Sequence, residues 1–173
     1  MVDENLFMKK IFFLCFLLWL GNAHAELQKS DTKESLRGLT GVYVIAQFID
    51  LTPDGMSSNS IVETVSASLR AAGVSVYTEP KRTEGFANLC VTVNTVKEQS
   101  TGAYIFMVQI ALSQTVHMTR LPSAKPVASL TWMNTIQGLT TPDRVDIIDL
   151  AIKQGVNFFI KDFFEGNSPK PNN

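Results

Sequence analysis

YIFMVQIALSQTVHMTR, running from Tyr104 to Arg120, alternates with a period of two. Its even positions are Tyr104, Phe106, Val108, Ile110, Leu112, Gln114, Val116 and Met118. Its odd positions are Ile105, Met107, Gln109, Ala111, Ser113, Thr115 and His117. Successive side chains of a strand point to opposite faces. The even set therefore builds an almost wholly apolar face, and the odd set turns polar toward its end. That is the pattern of a strand in a sheet with one covered face. At up to 17 residues the stretch exceeds the usual strand of about 5–6. It is expected to bend, or to project as a hairpin beyond the sheet.

The neighbouring segments supply its partners. LCVTVNTVKE, Leu89 to Glu98, sets Leu89, Val91 and Val93 against Cys90, Thr92 and Asn94. Ser100-Thr101-Gly102 is a hairpin turn signal between the two. After a loop flanked by prolines, Leu121 to Pro126, the return strand is PVASLTWMNTIQ, Pro126 to Gln137. Short connections make these strands antiparallel neighbours.

Upstream, GVYVIAQFID (Gly41 to Asp50) is nearly continuously apolar and rich in Val and Ile, which predicts another strand. LTPDGMSS follows as a loop with Pro-Asp-Gly turn chemistry. Ser60 with Glu63 three residues on is a capping-box pattern. Ile61, Val62, Val65, Leu69 and Ala72 then form one helical stripe, stopped by Gly73. Val74 to Thr78 predicts a short strand, and EPKRTEGFAN a charged loop. Downstream, Thr141-Pro142-Asp143 is a helix start: a hydroxyl cap, proline at the first position and a carboxylate in the positive first turn. Val145, Ile148, Ile152, Val156, Phe159 and Phe163 step by three or four, and Gly166 ends the run. Gly155 inside this helix costs about 1 kcal/mol against alanine, which close packing on the sheet would explain.

The predicted order is β-α-β-β-β-β-α. This is an α+β two-layer sandwich, a mostly antiparallel sheet with both helices packed on one face. The expected domain is 41–166, preceded by a flexible lead-in over 26–40 and followed by a disordered tail over 167–173.

Residues 1–25 are set apart. Met8-Lys9-Lys10 is a basic start, Ile11 to Leu20 is an apolar run, and Gly21 to Ala25 ends in Ala-x-Ala. Together they read as a secretory signal peptide cut before Glu26, with Met8 a second candidate start because Asp3 and Glu4 are foreign to such a leader. The run of 10 is about half of what a membrane-spanning helix needs. Cys15 lies inside this run and not at the end of a small-residue box, so lipid attachment is not expected. Export to the periplasm, or secretion, as a soluble protein follows.

Two basic and two acidic residues lie in the leader, which leaves 13 basic and 14 acidic beyond it. No basic surplus points to nucleic acid or an anionic membrane. One cysteine remains, so no internal disulfide can form. Cys90 sits in the apolar run LCVTV and reads as a small buried hydrophobe, not a reactive thiol.

Catalytic kits are missing from the pattern. Metal sites need several converging His, Cys, Asp or Glu side chains. Only one His and one Cys follow the leader, so no metal and no cofactor is expected. Asp143, Asp146 and Asp149 step every three residues and read as a solvated helix face. His117 is the one histidine base for a nucleophile. Ser113 shares its face but lies about 13 Å away along a strand. No Gly-x-Ser-x-Gly elbow and no phosphate loop occurs. The chain is therefore read as non-enzymatic. The odd side of the opening stretch, Gln109, Ser113, Thr115 and His117, is the candidate interaction face. Trp132 has two places open to it. In the core it is packing; on the open sheet face it joins that set as a contact residue.

Three stretches resemble small exported domains of Gram-negative envelopes: LRGLTGVYVIAQFID, SNSIVETVSASLRAAGVSVYT and NTIQGLTTPDRVDIIDLAIKQGVNFFIKDFFEGN. The layout is similar to the strand–helix–antiparallel-sheet units of outer-membrane assembly lipoproteins and of periplasmic accessory proteins. The lipid-anchoring cysteine of the lipoproteins has no counterpart here, and no catalytic residue comes with the likeness. The resemblance implies a periplasmic binding or assembly module acting through protein–protein contacts. Its partner would be another envelope protein or a second copy. Two other readings stand beside it. One is a carrier of a small apolar ligand or lipid between sheet and helices, lined by Phe158, Phe159, Phe163 and Phe164. The other is a hydrolase that uses His117.

Overall fold

The computed structural model describes residues 33–53, 55–80 and 86–168. The leader and the first part of the lead-in lie outside the described residues. Strand β1 is Gly41–Asp50, helix α1 is Ser58–Ala71, and strands β2, β3 and β4 are Phe86–Lys97, Tyr104–Val116 and Val127–Thr140. A 3-10 turn at Pro142–Arg144 leads into helix α2, Asp146–Asn167. The sheet order is β1-β2-β3-β4. β1 and β2 are parallel, joined through α1, and the other two pairs are antiparallel. The fold is the expected α+β arrangement, with α1 over β1 and α2 over β3 and β4.

The even side of β3 is the covered one. Phe106, Val108, Ile110 and Leu112 are buried with Leu89, Val91 and Val93 of β2 and Val42 and Val44 of β1. α1 contributes Ile61, Val65 and Leu69, and α2 contributes Ile148, Ile152, Val156 and Phe159. Each such side chain adds about 1.5–3 kcal/mol of burial. Gly155 lets α2 come down onto the sheet, for a Cβ there would meet Ile110 Cδ1 at 2.8 Å. In the same layer the Phe106 ring covers Gly138, its cross-strand neighbour.

Several local expectations shift. Val74–Thr78 contributes a single parallel bridge, Val42 to Val76, and not a full strand. It passes so close to β1 that a Cβ at Gly41 would lie 2.6 Å from Ser75 O. The cap of α1 is Ser57, whose hydroxyl accepts from Ser60 N at 3.1 Å, one turn ahead of the expected Ser60. Thr141-Pro142-Asp143 opens the 3-10 turn, with no side-chain cap from Thr141. Asp143 instead accepts from the Thr141 hydroxyl, which holds its carboxyl below the usual range. Gly166 lies within α2 and not past its end. There a Cβ would come within 2.6 Å of Lys33 O.

That contact belongs to a correction of the lead-in. From Lys33 onward it is packed, because Leu36 and Leu39 are core residues. Asn167, placed by sequence in the tail, ends α2 and fastens this segment: Nδ2 donates to Leu36 O at 2.9 Å and Oδ1 accepts from Gly38 N at 2.9 Å.

The long strand stops at Val116 and bends at a bulge. Register slips between Leu112, opposite Trp132, and Ser113, opposite Leu130. Thr131 is the extra residue. The lead-in pins it there: Ser35 Oγ donates to Thr131 O at 2.8 Å, and Gln114 Nε2 donates to Thr131 Oγ1 at 2.7 Å and to Ser35 O at 2.9 Å.

Candidate functional site

The helices cover one side of the sheet, and among the described residues no element covers the other. Paired residues of a ladder share a face, so the registers define its membership. β1 presents Tyr43, Ile45, Gln47 and Ile49. β2 presents Asn88, Cys90, Thr92, Asn94 and Val96. β3 presents Ile105, Met107, Gln109, Ala111, Ser113 and Thr115. β4 presents Leu139, Gln137, Thr135 and Met133 and, beyond the bulge, Leu130 and Ala128. None of these side chains is charged. Ile45, Ile49, Val96, Ile105, Leu130, Met133 and Leu139 are large apolar groups left exposed, Leu130 at 59% and Leu139 at 66%.

The bulge decides part of this. By simple alternation Leu130 shares a side with Trp132, but the extra residue turns Leu130 to the open face. Trp132 stays inside, 3% exposed. Its indole packs edge-on against Phe159 with ring centroids 5.2 Å apart. Its Nε1 donates to Asp162 Oδ2 at 3.0 Å. Of the two places open to Trp132 it takes the core, because the unshifted register at Leu112 points it at α2, and it is removed from the interaction face.

The other candidates divide. Gln109, Ser113 and Thr115 stand together on the open face of β3. Gln109 Nε2 donates to Met133 Sδ at 3.0 Å, and Gln47 Nε2 donates to Thr92 Oγ1 at 3.1 Å. These bonds run between strands and hold the polar groups flat among the apolar ones. His117 lies one residue past β3 and is exposed at the start of the β3–β4 connection. It is beside the sheet, not on it.

A groove of about 440 Å³ lies at one end of the open face, lined by Asn94, Val96, Ile105, Met107 and Gln137 with Phe106 and Gly138 at its floor. The Oδ1 atoms of Asn88 and Asn94, both on this face, are buried with no hydrogen-bond partner among the described residues. Cys90 sits between them, half-buried. Burial pushes its thiol pKa up, so it remains a protonated, weakly nucleophilic thiol at neutral pH.

The layer between sheet and helices is filled by side chains. Phe159 and Phe163 are buried there, while Phe158 and Phe164 are exposed on α2. The four phenylalanines therefore do not line one pocket. Among the described residues, no helix is long and apolar enough to cross a membrane.

At one end of the molecule Lys33 is paired with Asp162 at 3.4 Å and with Glu165. The bond that Lys33 donates to Glu165, followed by the Asp162 charge, raises the Lys33 pKa. Asp162 thus holds the lead-in and β4 to α2 at once. Sequence reading missed this clasp. Its only local signal was the apolar Leu36 and Leu39 flanking Gly38 within an otherwise charged segment.

No protein-family model matches this chain, and no curated protein does. Similar solved structures include a minor lipoprotein from Acinetobacter baumannii, 8% identical, with a TM-score of 0.39. The alignment covers 77% of this chain and 98% of that one. At that score the likeness carries no argument about this chain.

Proposed function

We propose that the protein is a non-enzymatic module of the cell envelope that binds another protein through the open face of its sheet. The observation that carries this reading is an exposed face spanning four strands that bears large apolar groups and no charge. A face kept in water by selection normally carries polar and charged groups, and large apolar patches mark contact sites. The leader reading supports the location: an exported domain meets envelope proteins. The breadth of the face, which spans four strands with only a shallow groove in it, fits another protein surface better than a small molecule, which favours an enclosed site.

The test is cross-linking in envelope extract with the chain and with an Ile105→Lys, Leu139→Lys variant. The proposal expects discrete adducts with the chain and their loss in the variant, while an Arg70→Ala change on α1 leaves them. Adducts equal in all three would remove the open face from consideration.

A further inference from the structure

β4 closes one side of the sheet, and no described strand pairs with its outer edge. The opposite edge differs, because β1 is covered at Val42 by the bridge to Val76. An open edge is a row of unpaired N–H and C=O groups, which proteins guard with lysine, proline or a short strand. β4 is protected at Thr131 by its bulge and by Ser35 of the lead-in, but beyond it, from Trp132 to Thr140, it has none of these guards. It runs for 14 residues, VASLTWMNTIQGLT, with no charge and no proline.

We propose that two copies of the chain join through antiparallel pairing of their β4 edges about a two-fold axis beside Asn134, which makes one continuous eight-stranded sheet. In such a pair each residue faces its own symmetry mate or a near neighbour of it, so a charge would meet its like. An uncharged strand is what self-pairing requires. Ser35 sits at Thr131, so the paired segment is short and centred on Trp132 to Ile136.

The helices supply the rest. Gly155 of α2 lies against Ile110 of β3 and beside Asn134 of β4, which places the α2 axis above the line between these strands. A two-fold axis normal to the sheet keeps both α2 helices on one face and antiparallel. With strands about 4.8 Å apart, the two axes fall about 9.6 Å from each other. Packed helices lie about 8–10 Å apart. The flank of α2 on that side carries Phe158 and Asp162, four residues apart. The Asp162 bond to Trp132 marks it as the β4 side. Phe158 is 43% exposed on this flank. An antiparallel helix pair centred opposite Asn134 buries the Phe158 ring of each copy against the α2 flank of the other. Asn134, half-buried on the covered side of β4, faces its symmetry mate across the new pair of edges. A strand from an unrelated protein would satisfy the edge but leave Phe158 unmet. This inference stands apart from the open-face reading, since the face is equally available in one copy or two.

The test is sedimentation velocity on the chain as recovered from the cell, over a range of concentration, with hydrogen exchange of the Trp132–Ile136 amides. A species of twice the chain mass is expected, with those amides protected at high concentration and released on dilution. Phe158→Glu, an exposed position, should keep the far-ultraviolet circular dichroism and raise the dimer Kd by roughly thirtyfold, the effect of losing a central aromatic anchor. Phe158→Ala should move it less, in the same direction. A monomer at every concentration overturns the proposal. So does a dimer whose Kd neither variant changes, or β4 exchange that is independent of concentration. None of these results would alter cross-linking from Ile105 and Leu139, so failure here is distinguishable from failure of the open-face reading.

Discussion

Gly155 of α2 rests directly on Ile110 of β3: a Cβ added at 155 would lie 2.8 Å from Ile110 Cδ1 and 3.1 Å from Cγ1. Ile110 is fully buried, so its side chain must shift within the packed layer to admit a Cβ. Gly155→Ala would gain about 1 kcal/mol of helix propensity but overpack the layer by about 1–3 kcal/mol. The expected net effect is a loss of about 1 kcal/mol in chemical denaturation. A gain of that size would show that α2 stands further from the sheet.

Trp132 and Leu130 are two residues apart but belong to opposite faces, which their substitutions should separate. Trp132→Ala removes the indole from between Phe159 and Asp162, at a cost of about 3–5 kcal/mol. Trp132→Phe keeps a ring but leaves the buried side of Asp162 without its donor, costing about 1–3 kcal/mol. Leu130→Thr should stay within about 0.5 kcal/mol, as exposed positions do. Equal sensitivity at 130 and 132 in denaturant titrations would contradict the bulge at Thr131.

Glu98 closes the β2–β3 hairpin. Its carboxylate accepts from Thr101 N and Oγ1, both at 2.7 Å, and from Ser100 N at 2.9 Å. These bonds, led by the Thr101 hydroxyl, pull its pKa from 4.5 to about 2. A depressed folded-state pKa stabilises above the unfolded value, and that contribution disappears as pH falls through the folded one. The window here is pH 4.5 down to about 2. Glu98→Gln should lower the thermal midpoint near neutrality, and the gap between variant and parent should close across that window. A constant gap at all pH values would rule out the carboxylate as its source.

The fold was legible because its signals are local and repeated. The alternation of Tyr104 to Leu112 and the stripe from Ile148 to Phe163 each encode one face many times over. What was not legible depends on contacts between distant segments. The bulge at Thr131 is fixed by Ser35 and Gln114, and no periodicity within β4 reveals it; yet it decides that Leu130 joins Met133 outside while Trp132 stays inside. Val74–Thr78 has strand composition but only Val42 to pair with. Ser57 and Ser60 offer the same cap chemistry, and the path of the preceding loop chooses between them. Lys33 to Thr40 look solvated by charge, while two leucines and Asn167 bind them down. The interaction set was half visible: Gln109, Ser113 and Thr115 lie where the odd positions of β3 put them. The lack of charge over the whole face could be seen only once the four strands were placed in register.

Cys90 offers a native probe of the central claim, since it lies on the open face between Asn88 and Asn94, opposite Ala111 of β3. The measurement is the alkylation rate of the peptide carrying Cys90, by mass spectrometry, in intact cells made permeable to the reagent and in the purified protein. If another protein covers the open face, labelling in the cell is many-fold slower than in the purified chain, and Ile105→Lys with Leu139→Lys restores the faster rate. Equal rates in the cell and in purified protein would contradict the account.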